Sequence, residues 1–104
     1  MPITTWGGHS TFEYEGCVET GTTITFGQNN QVTIDSQEWM SLRKNFIGKT
    51  VEIGTSRDKP PAHSMGEWFY NNIKKQALMS YVGAILIREY YAVRESDTQI
   101  RIVR

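Results

Sequence analysis

Residues 64–104 constrain the fold of this chain more than any other stretch. Ser64 and Glu67 have the spacing of a capping box, in which each side chain accepts a hydrogen bond from the other residue's main-chain amide, so a helix is predicted to begin there. The polar residues before Ile73 predict a break. A longer apolar helix is then predicted over residues 75–90, with a tight turn between the two helices.

The residues after this second helix predict a β-hairpin. Residues 92–95 and 99–103 are predicted as its strands, and residues 95–98 form its acidic tip. Ile100 and Ile102 alternate with polar neighbours, which is the period of a strand with one buried face.

The amino-terminal third predicts a small antiparallel sheet. Residues 1–9 are expected to be a flexible arm, because the Gly7-Gly8 pair interrupts regular structure. Residues 10–34 predict a β meander. Phe12 and Tyr14 alternate with polar residues there, and residues 18–26 are rich in threonine, which favours strands.

Residues 35–63 connect the two parts. Asp35 and Glu38 form a second capping-box pattern, so a helix is predicted to begin at this point. Its apolar stripe contains Trp39, Leu42 and Phe46 at helical spacing. A short strand over 51–53 and a stiff loop containing two consecutive prolines complete the segment.

The sequence therefore predicts a single α+β domain over residues 1–104. A small antiparallel β meander is followed by an α-β-α-α-β-β unit over residues 35–104. That order of elements resembles a winged helix, a fold pattern in which the second helix of a helix-turn-helix contacts DNA bases in the major groove. The resemblance implies that double-stranded DNA is the partner.

Several function classes lack sequence support. No apolar run approaches the 18 residues that suggest a membrane span, and the amino terminus does not have the pattern of a secretory signal, so a cytoplasmic protein is expected. The single cysteine, Cys17, has no partner for an internal disulfide. His9 and His63 lack metal-ligand spacing, and no catalytic constellation is recognisable. We expect a non-enzymatic protein without cofactor or metal.

The distribution of charge favours a polyanionic partner for the carboxy-terminal part. Net charge is zero, yet all eleven basic residues and only six of the eleven acidic ones fall in residues 41–104. The alternative is that the acidic and basic parts simply neutralise each other in the fold. On the DNA hypothesis, the groove-contacting residues at the start of the second helix are Lys74, Lys75, Gln76, Met79 and Ser80, and the phosphate-contacting residues are Arg57, Lys59, Arg94 and Arg101.

A helical wheel leaves a second interpretation of the long helix open. One face holds Leu78, Tyr81, Val82 and Ile85, and the opposite face is small in its middle, with Ser80, Gly83 and Ala84. Such a helix is also suited to burial on nearly all sides, as a central core helix packed under the meander. Its small residues would then be packing or dimer contacts and would not approach DNA.

Three other hypotheses follow from the same residues. The acidic meander is suited to a protein partner, as in an accessory or inhibitor protein of a phage or mobile element. A homodimer is expected if the protein is a regulator, through the small helix face or an edge of the meander. A small-molecule site is the third, in a pocket lined by aromatic residues: Trp39, Trp68, Phe69 and Tyr70.

Overall fold

The computed structural model describes residues 2–56, 58 and 60–104, and these residues form two antiparallel sheets with three helices. In chain order the elements are β1 (Ile3–Thr4), β2 (Thr11–Cys17), β3 (Gly21–Phe26), β4 (Asn30–Asp35), α1 (Ser36–Phe46), β5 (Thr50–Glu52), α2 (Met65–Asn72), α3 (Met79–Arg88), β6 (Ala92–Arg94) and β7 (Gln99–Ile102). The predicted α+β class is confirmed. No helix in the described part of the chain has the length and apolar character needed to cross a bilayer.

The first sheet, which we call the meander, has the strand order β1-β2-β3-β4. Its inner face follows the predicted alternation: Phe12 and Ile24 are buried, whereas Glu13 and Glu15 are exposed. The predicted meander over residues 10–34 is therefore confirmed, with one further strand before it.

Residues 3–6 do not form part of the flexible arm expected over residues 1–9. Ile3 pairs with Phe12 in the sheet, and Trp6 is only 5% exposed. The indole Nε1 of Trp6 donates a 2.7 Å hydrogen bond to the main-chain oxygen of Asp97. Burial of the indole holds this segment in place. The free energy gained by burying such a large aromatic side chain exceeds the conformational entropy lost in ordering the two glycines that follow it.

Helix α1 forms as its local signals predict. Asp35 accepts the amide of Glu38, Glu38 accepts the amide of Asp35, and so the predicted capping box is complete. The predicted stripe of Trp39, Leu42 and Phe46 is buried. The Trp39 indole donates to the Thr22 hydroxyl at 3.2 Å, which joins the helix to the meander.

The second capping box is only half formed. Ser64 accepts the amide of Glu67 as predicted, but the Glu67 carboxylate accepts the amide of His63 and not that of Ser64. The reason is that the Ser64 amide already donates to the Pro61 carbonyl. Helix α2 still begins at the predicted place.

The predicted hairpin forms, and β5 joins it. β7 lies between β5 and β6, so the order of the second sheet is β5-β7-β6. Ile100 and Ile102 are fully buried. This sheet and the meander share one hydrophobic core.

Helix α3 is shorter than predicted, since it begins at Met79 and ends at Arg88. The four residues before Leu78 are used to reverse the chain: the Gln76 amide donates to the Lys74 carbonyl and the Leu78 amide to the Gln76 carbonyl. The other end stops because Tyr90 adopts a left-handed φ of 65°.

The buried-helix interpretation of α3 is confirmed. Met79 and Gly83 are buried on the face that the DNA hypothesis requires to be free. A methyl group added at Gly83 would overlap the side chain of Ile53. Tyr81, on the opposite face of the helix, stacks on Phe26 of the meander with ring centroids 4.9 Å apart.

Candidate functional site

The most unusual group of charges lies around the ring of Tyr91. The Arg43 guanidinium lies 4.4 Å from the centroid of that ring, and the Arg104 guanidinium lies 4.5 Å from it. We call these three residues the Tyr91 cluster. Such contacts stabilise a cation over an aromatic ring by about 0.5–1 kcal/mol at exposed sites.

Three distant parts of the chain build the Tyr91 cluster. Arg43 comes from the last turn of α1, Tyr91 lies between α3 and β6, and Arg104 follows β7. The Val103 amide donates to the Tyr91 carbonyl, which continues the pairing of β6 with β7. The cluster therefore lies where α1 meets the second sheet.

Main-chain oxygens orient both guanidinium groups. Arg43 Nε donates to the main-chain oxygen of Arg104 at 2.8 Å. Arg104 donates to the carbonyl oxygens of Tyr90 and Glu89, at 2.9 and 2.8 Å. These bonds leave at least one terminal nitrogen of each guanidinium without a hydrogen bond to the described residues, and an anion could use those donors.

The charges of the Tyr91 cluster are not neutralised by side chains. Among the described residues, no Asp or Glu side chain forms an ion pair with Arg43 or Arg104. The nearby Glu89 carboxylate accepts hydrogen bonds from the Tyr14 hydroxyl and the Val18 amide instead. Two guanidinium groups held around one ring are an arrangement that attracts anions in proteins.

Tyr14 anchors this region to the meander and has a perturbed pKa. Burial raises the pKa of the Tyr14 phenol, and the 2.7 Å hydrogen bond to Glu89 raises that pKa further because ionised Tyr14 would face a carboxylate. The folded protein therefore holds the Tyr14 proton at pH values where the unfolded chain releases it.

Tyr14→Phe is expected to flatten the alkaline side of the stability curve. Above the ordinary tyrosine pKa of 10.0, unfolded Tyr14 loses its proton while folded Tyr14 keeps it, so each rise in pH favours unfolding. Wild type should lose up to about 1.4 kcal/mol per pH unit more than the variant there, and less where solvent screens the phenol. Urea melts of both proteins from pH 8 to 11 measure the slopes. Parallel slopes would contradict the shift.

The residues predicted to enter a DNA groove are only partly available. Met79 is buried, and Ser80 is half-buried with its carbonyl bonded to the Trp6 amide. Lys74 pairs with Glu38 at 3.4 Å. Lys75 and Gln76 are exposed, but they lie in the turn before α3 and not on the helix. The predicted base-contacting surface is therefore not assembled on α3.

Of the four predicted phosphate contacts, Arg94 and Arg101 lie among the described residues. Arg94 lies over the Trp6 ring at 4.0 Å and donates to main-chain oxygens. Arg101 is exposed on β7 and pairs with Glu95 at 3.6 Å. Arg57 and Lys59 lie outside the described residues.

The predicted aromatic pocket does not form as one site. Trp39 and Phe69 are core residues, each 1% exposed. Trp68 packs edge to face on Phe46. Tyr70 alone lines a cavity of about 310 Å³, which lies beside the turn that precedes α3.

The Tyr91 cluster escaped the sequence analysis. Arg43 lies off the apolar stripe of α1 and Arg104 lies beside the hairpin, so neither position is distinctive in the sequence. The available signal was the Tyr90-Tyr91 pair directly after an apolar helix, with Tyr90 78% exposed in the structure. Comparison of the chain with models of protein families, with curated proteins and with solved structures finds no match.

Proposed function

We propose that this is a non-enzymatic protein that binds double-stranded DNA by its phosphates, through the Tyr91 cluster. The observation that carries the proposal is the pair of guanidinium groups, Arg43 and Arg104, gathered on one ring without a carboxylate side chain. Guanidinium matches the geometry of phosphate oxygens, and neutralising phosphates releases counterions, which favours binding.

The neighbouring surface supports a nucleic-acid partner. Tyr90 directly precedes Tyr91 in the chain and is 78% exposed. Such high exposure is unusual for an aromatic side chain that has no binding partner. Exposed aromatic rings next to arginine stack on sugars or unpaired bases in nucleic-acid-binding proteins. The order of helices and hairpin in residues 35–104, which resembles a winged helix, is consistent with the same partner class.

Binding of this kind is expected to be largely independent of DNA sequence. The face of α3 that would read bases in a winged helix is covered at Gly83 by the side chains of Ile53 and Trp6, and the Trp6 amide donates to the Ser80 carbonyl. Phosphate contacts position a protein on a duplex without carrying sequence information. DNA would therefore contact the Tyr91 cluster, which α1 and the residues after α3 build, and not a recognition helix.

Reversing the charge of the cluster is expected to weaken DNA binding roughly tenfold or more per arginine, because each charged contact to phosphate is worth about 1.5–3 kcal/mol. Fluorescence anisotropy of a labelled random duplex, titrated at several salt concentrations, measures the affinity. Arg43→Glu and Arg104→Glu should also reduce the slope of log affinity against log salt by about one each. Circular dichroism confirms that the variants remain folded.

Lys75→Glu is the matched control, because it makes the same charge change at an exposed position before α3. It should change affinity much less than Arg43→Glu. The opposite ranking would return the interface to the start of α3 and exclude the Tyr91 cluster. Absence of salt-sensitive binding by wild type would exclude the DNA proposal altogether.

A second candidate function is favoured by the outer face of the meander. Glu13 and Glu15 are exposed there and lie opposite Thr25 and Thr23 in the sheet. This acidic face is suited to a basic protein surface. If wild type fails to bind DNA, capture of a protein partner that is lost in Glu15→Lys but kept in Arg43→Glu would support this alternative.

A further inference from the structure

Strand β4 is an edge strand of the meander, and only one of its two sides pairs with another strand of the described chain. All six of its residues pair with β3, from Asn30 opposite Phe26 to Asp35 opposite Gly21. It is the last strand in the sheet order, and no strand of the described chain lies on its other side. An unpaired strand edge is a template for pairing with another strand.

The outward main-chain groups of β4 can be identified from the α1 capping box. The Asp35 amide donates to Glu38 Oε1 at 3.0 Å, so this amide points away from β3. Alternate residues of a strand direct their amide and carbonyl groups to the same side. The amides and carbonyls of Gln31 and Thr33 therefore also point away from β3, and the described chain provides no main-chain partner for them beyond the ladder.

Strand β4 lacks the features by which proteins usually block an edge. It contains no lysine, arginine or proline, and six consecutive pairs leave no place for a bulge. Val32 is half-buried and packs against the core, so its apolar surface is only partly covered. The Glu38 carboxylate covers the edge at Asp35 and leaves Gln31 and Thr33 open.

We infer that β4 binds a second copy of this chain by antiparallel strand addition, with a twofold axis at Val32. In this register Gln31 lies opposite Thr33 of the second copy, and Val32 lies opposite Val32. Each Gln31–Thr33 pair exchanges two main-chain hydrogen bonds. The amide and carbonyl groups of Gln31 and Thr33 that Glu38 leaves open are therefore all bonded in both copies. The two meanders then form one continuous eight-stranded sheet.

This register is also favoured by the side chains. Gln31 and Thr33 lie on the outer face, where both are exposed, and polar side chains opposite each other there can hydrogen-bond. The two Val32 side chains meet on the core face and cover each other's remaining apolar surface. A register centred on Thr33 would instead require the Asp35 amide, which already donates to Glu38.

The test is sedimentation equilibrium of the full chain without DNA, from low micromolar to the highest soluble concentration. Wild type should show a monomer–dimer equilibrium. The double variant Gln31→Lys with Thr33→Lys places lysine opposite lysine twice, and it should weaken the dimer at least about tenfold because like charges directly opposite destabilise a strand pair. The corresponding double glutamate variant should do the same.

Mixing the lysine and glutamate variants identifies the register. Lysine of one copy then lies opposite glutamate of the other, so the mixture should form heterodimers while neither variant dimerises alone. A single chain carrying Gln31→Lys and Thr33→Glu should dimerise for the same reason. Failure of both combinations to dimerise would overturn the register and the proposal.

Strand β3 offers a closely matched control. Thr33 contacts the Thr23 hydroxyl and Gln31 donates to the Thr25 hydroxyl, so the variant Thr23→Lys with Thr25→Lys loses the same two side-chain contacts on the same face. Its dimer should resemble that of wild type, because β3 is not an edge. A wild-type protein that stays monomeric throughout, or equal losses in both double variants, would refute strand addition at β4.

Discussion

Gly66→Ala is expected to destabilise the protein by about 3 kcal/mol, although alanine is the better helix former by about 1 kcal/mol. Gly66 lies in the first turn of α2, where its amide donates to the Ile53 carbonyl at 2.9 Å. A Cβ at this position would overlap the carbonyl oxygen of Gly54, and it would lie 2.9 Å from the carbonyl carbon of Gly54.

The neighbours of Gly66 have little freedom to move away. Gly54 itself adopts a φ of +70°, and the Ile53 side chain is only 2% exposed. The clash is therefore between two main chains and not with the end of a flexible side chain, which makes relaxation costly. We expect the loss to appear as a lower midpoint in urea denaturation with an unchanged slope.

Gly7→Ala is the control for Gly66→Ala. Gly7 is exposed, its φ is not positive, and the nearest atom to an added Cβ would be the His9 side chain at 3.4 Å. It should change the free energy of unfolding by less than about 0.5 kcal/mol. A stabilised Gly66→Ala protein would show that helix propensity outweighs the close approach of α2 to the chain after β5.

The elements that the sequence predicted well are those whose signals are local. Asp35 and Glu38 complete each other's hydrogen bonds within four residues, so the start of α1 needs no information from elsewhere. The alternation of Phe12 and Tyr14 likewise reports a strand with one buried face. Such local patterns predict the structure correctly because the tertiary contacts favour the same conformation.

Two errors arose where nearby main-chain groups compete for hydrogen bonds. Glu67 fits a capping box, but it bonds the His63 amide because the Ser64 amide is taken by the Pro61 carbonyl. Helix α3 begins at Met79 and not at residue 75, because the chain reversal after α2 takes up the residues before Leu78. Side-chain patterns do not report these main-chain bonds.

The candidate site was harder to predict than the fold, because its contacts join residues that are distant in sequence. Arg43 and Arg104 lie 61 residues apart, and each alone is an ordinary surface arginine. What distinguishes them is a shared ring and the lack of a carboxylate side chain, and both properties depend on the packing of α1 against the second sheet. The sequence indicated a basic carboxy-terminal part but not which of its residues gather.

Trp6→Ala is expected to cost about 3–5 kcal/mol, the usual range for removing a buried aromatic side chain. The indole is 5% exposed, and its Nε1 donates to the Asp97 carbonyl at 2.7 Å, across 91 residues of sequence. The Arg94 guanidinium lies 4.0 Å from the ring and donates to the Trp6 carbonyl at 2.8 Å. Removing the ring leaves a cavity, and the Asp97 carbonyl keeps only its longer bond from Arg94, at 3.4 Å. It also takes away the ring over which the Arg94 guanidinium lies.

Trp6→Phe separates these contributions. Phenylalanine retains much of the ring contact but cannot donate to Asp97, so its cost should be intermediate, with about 0.5–1.5 kcal/mol attributable to the lost hydrogen bond. Chemical denaturation of the full chain, followed by far-ultraviolet circular dichroism, measures both variants. A flexible amino-terminal arm would make either substitution nearly neutral, within about 0.5 kcal/mol. If the amino terminus is packed between α3 and the hairpin, both substitutions should lower the free energy of unfolding clearly, and Trp6→Ala should lower it more than Trp6→Phe.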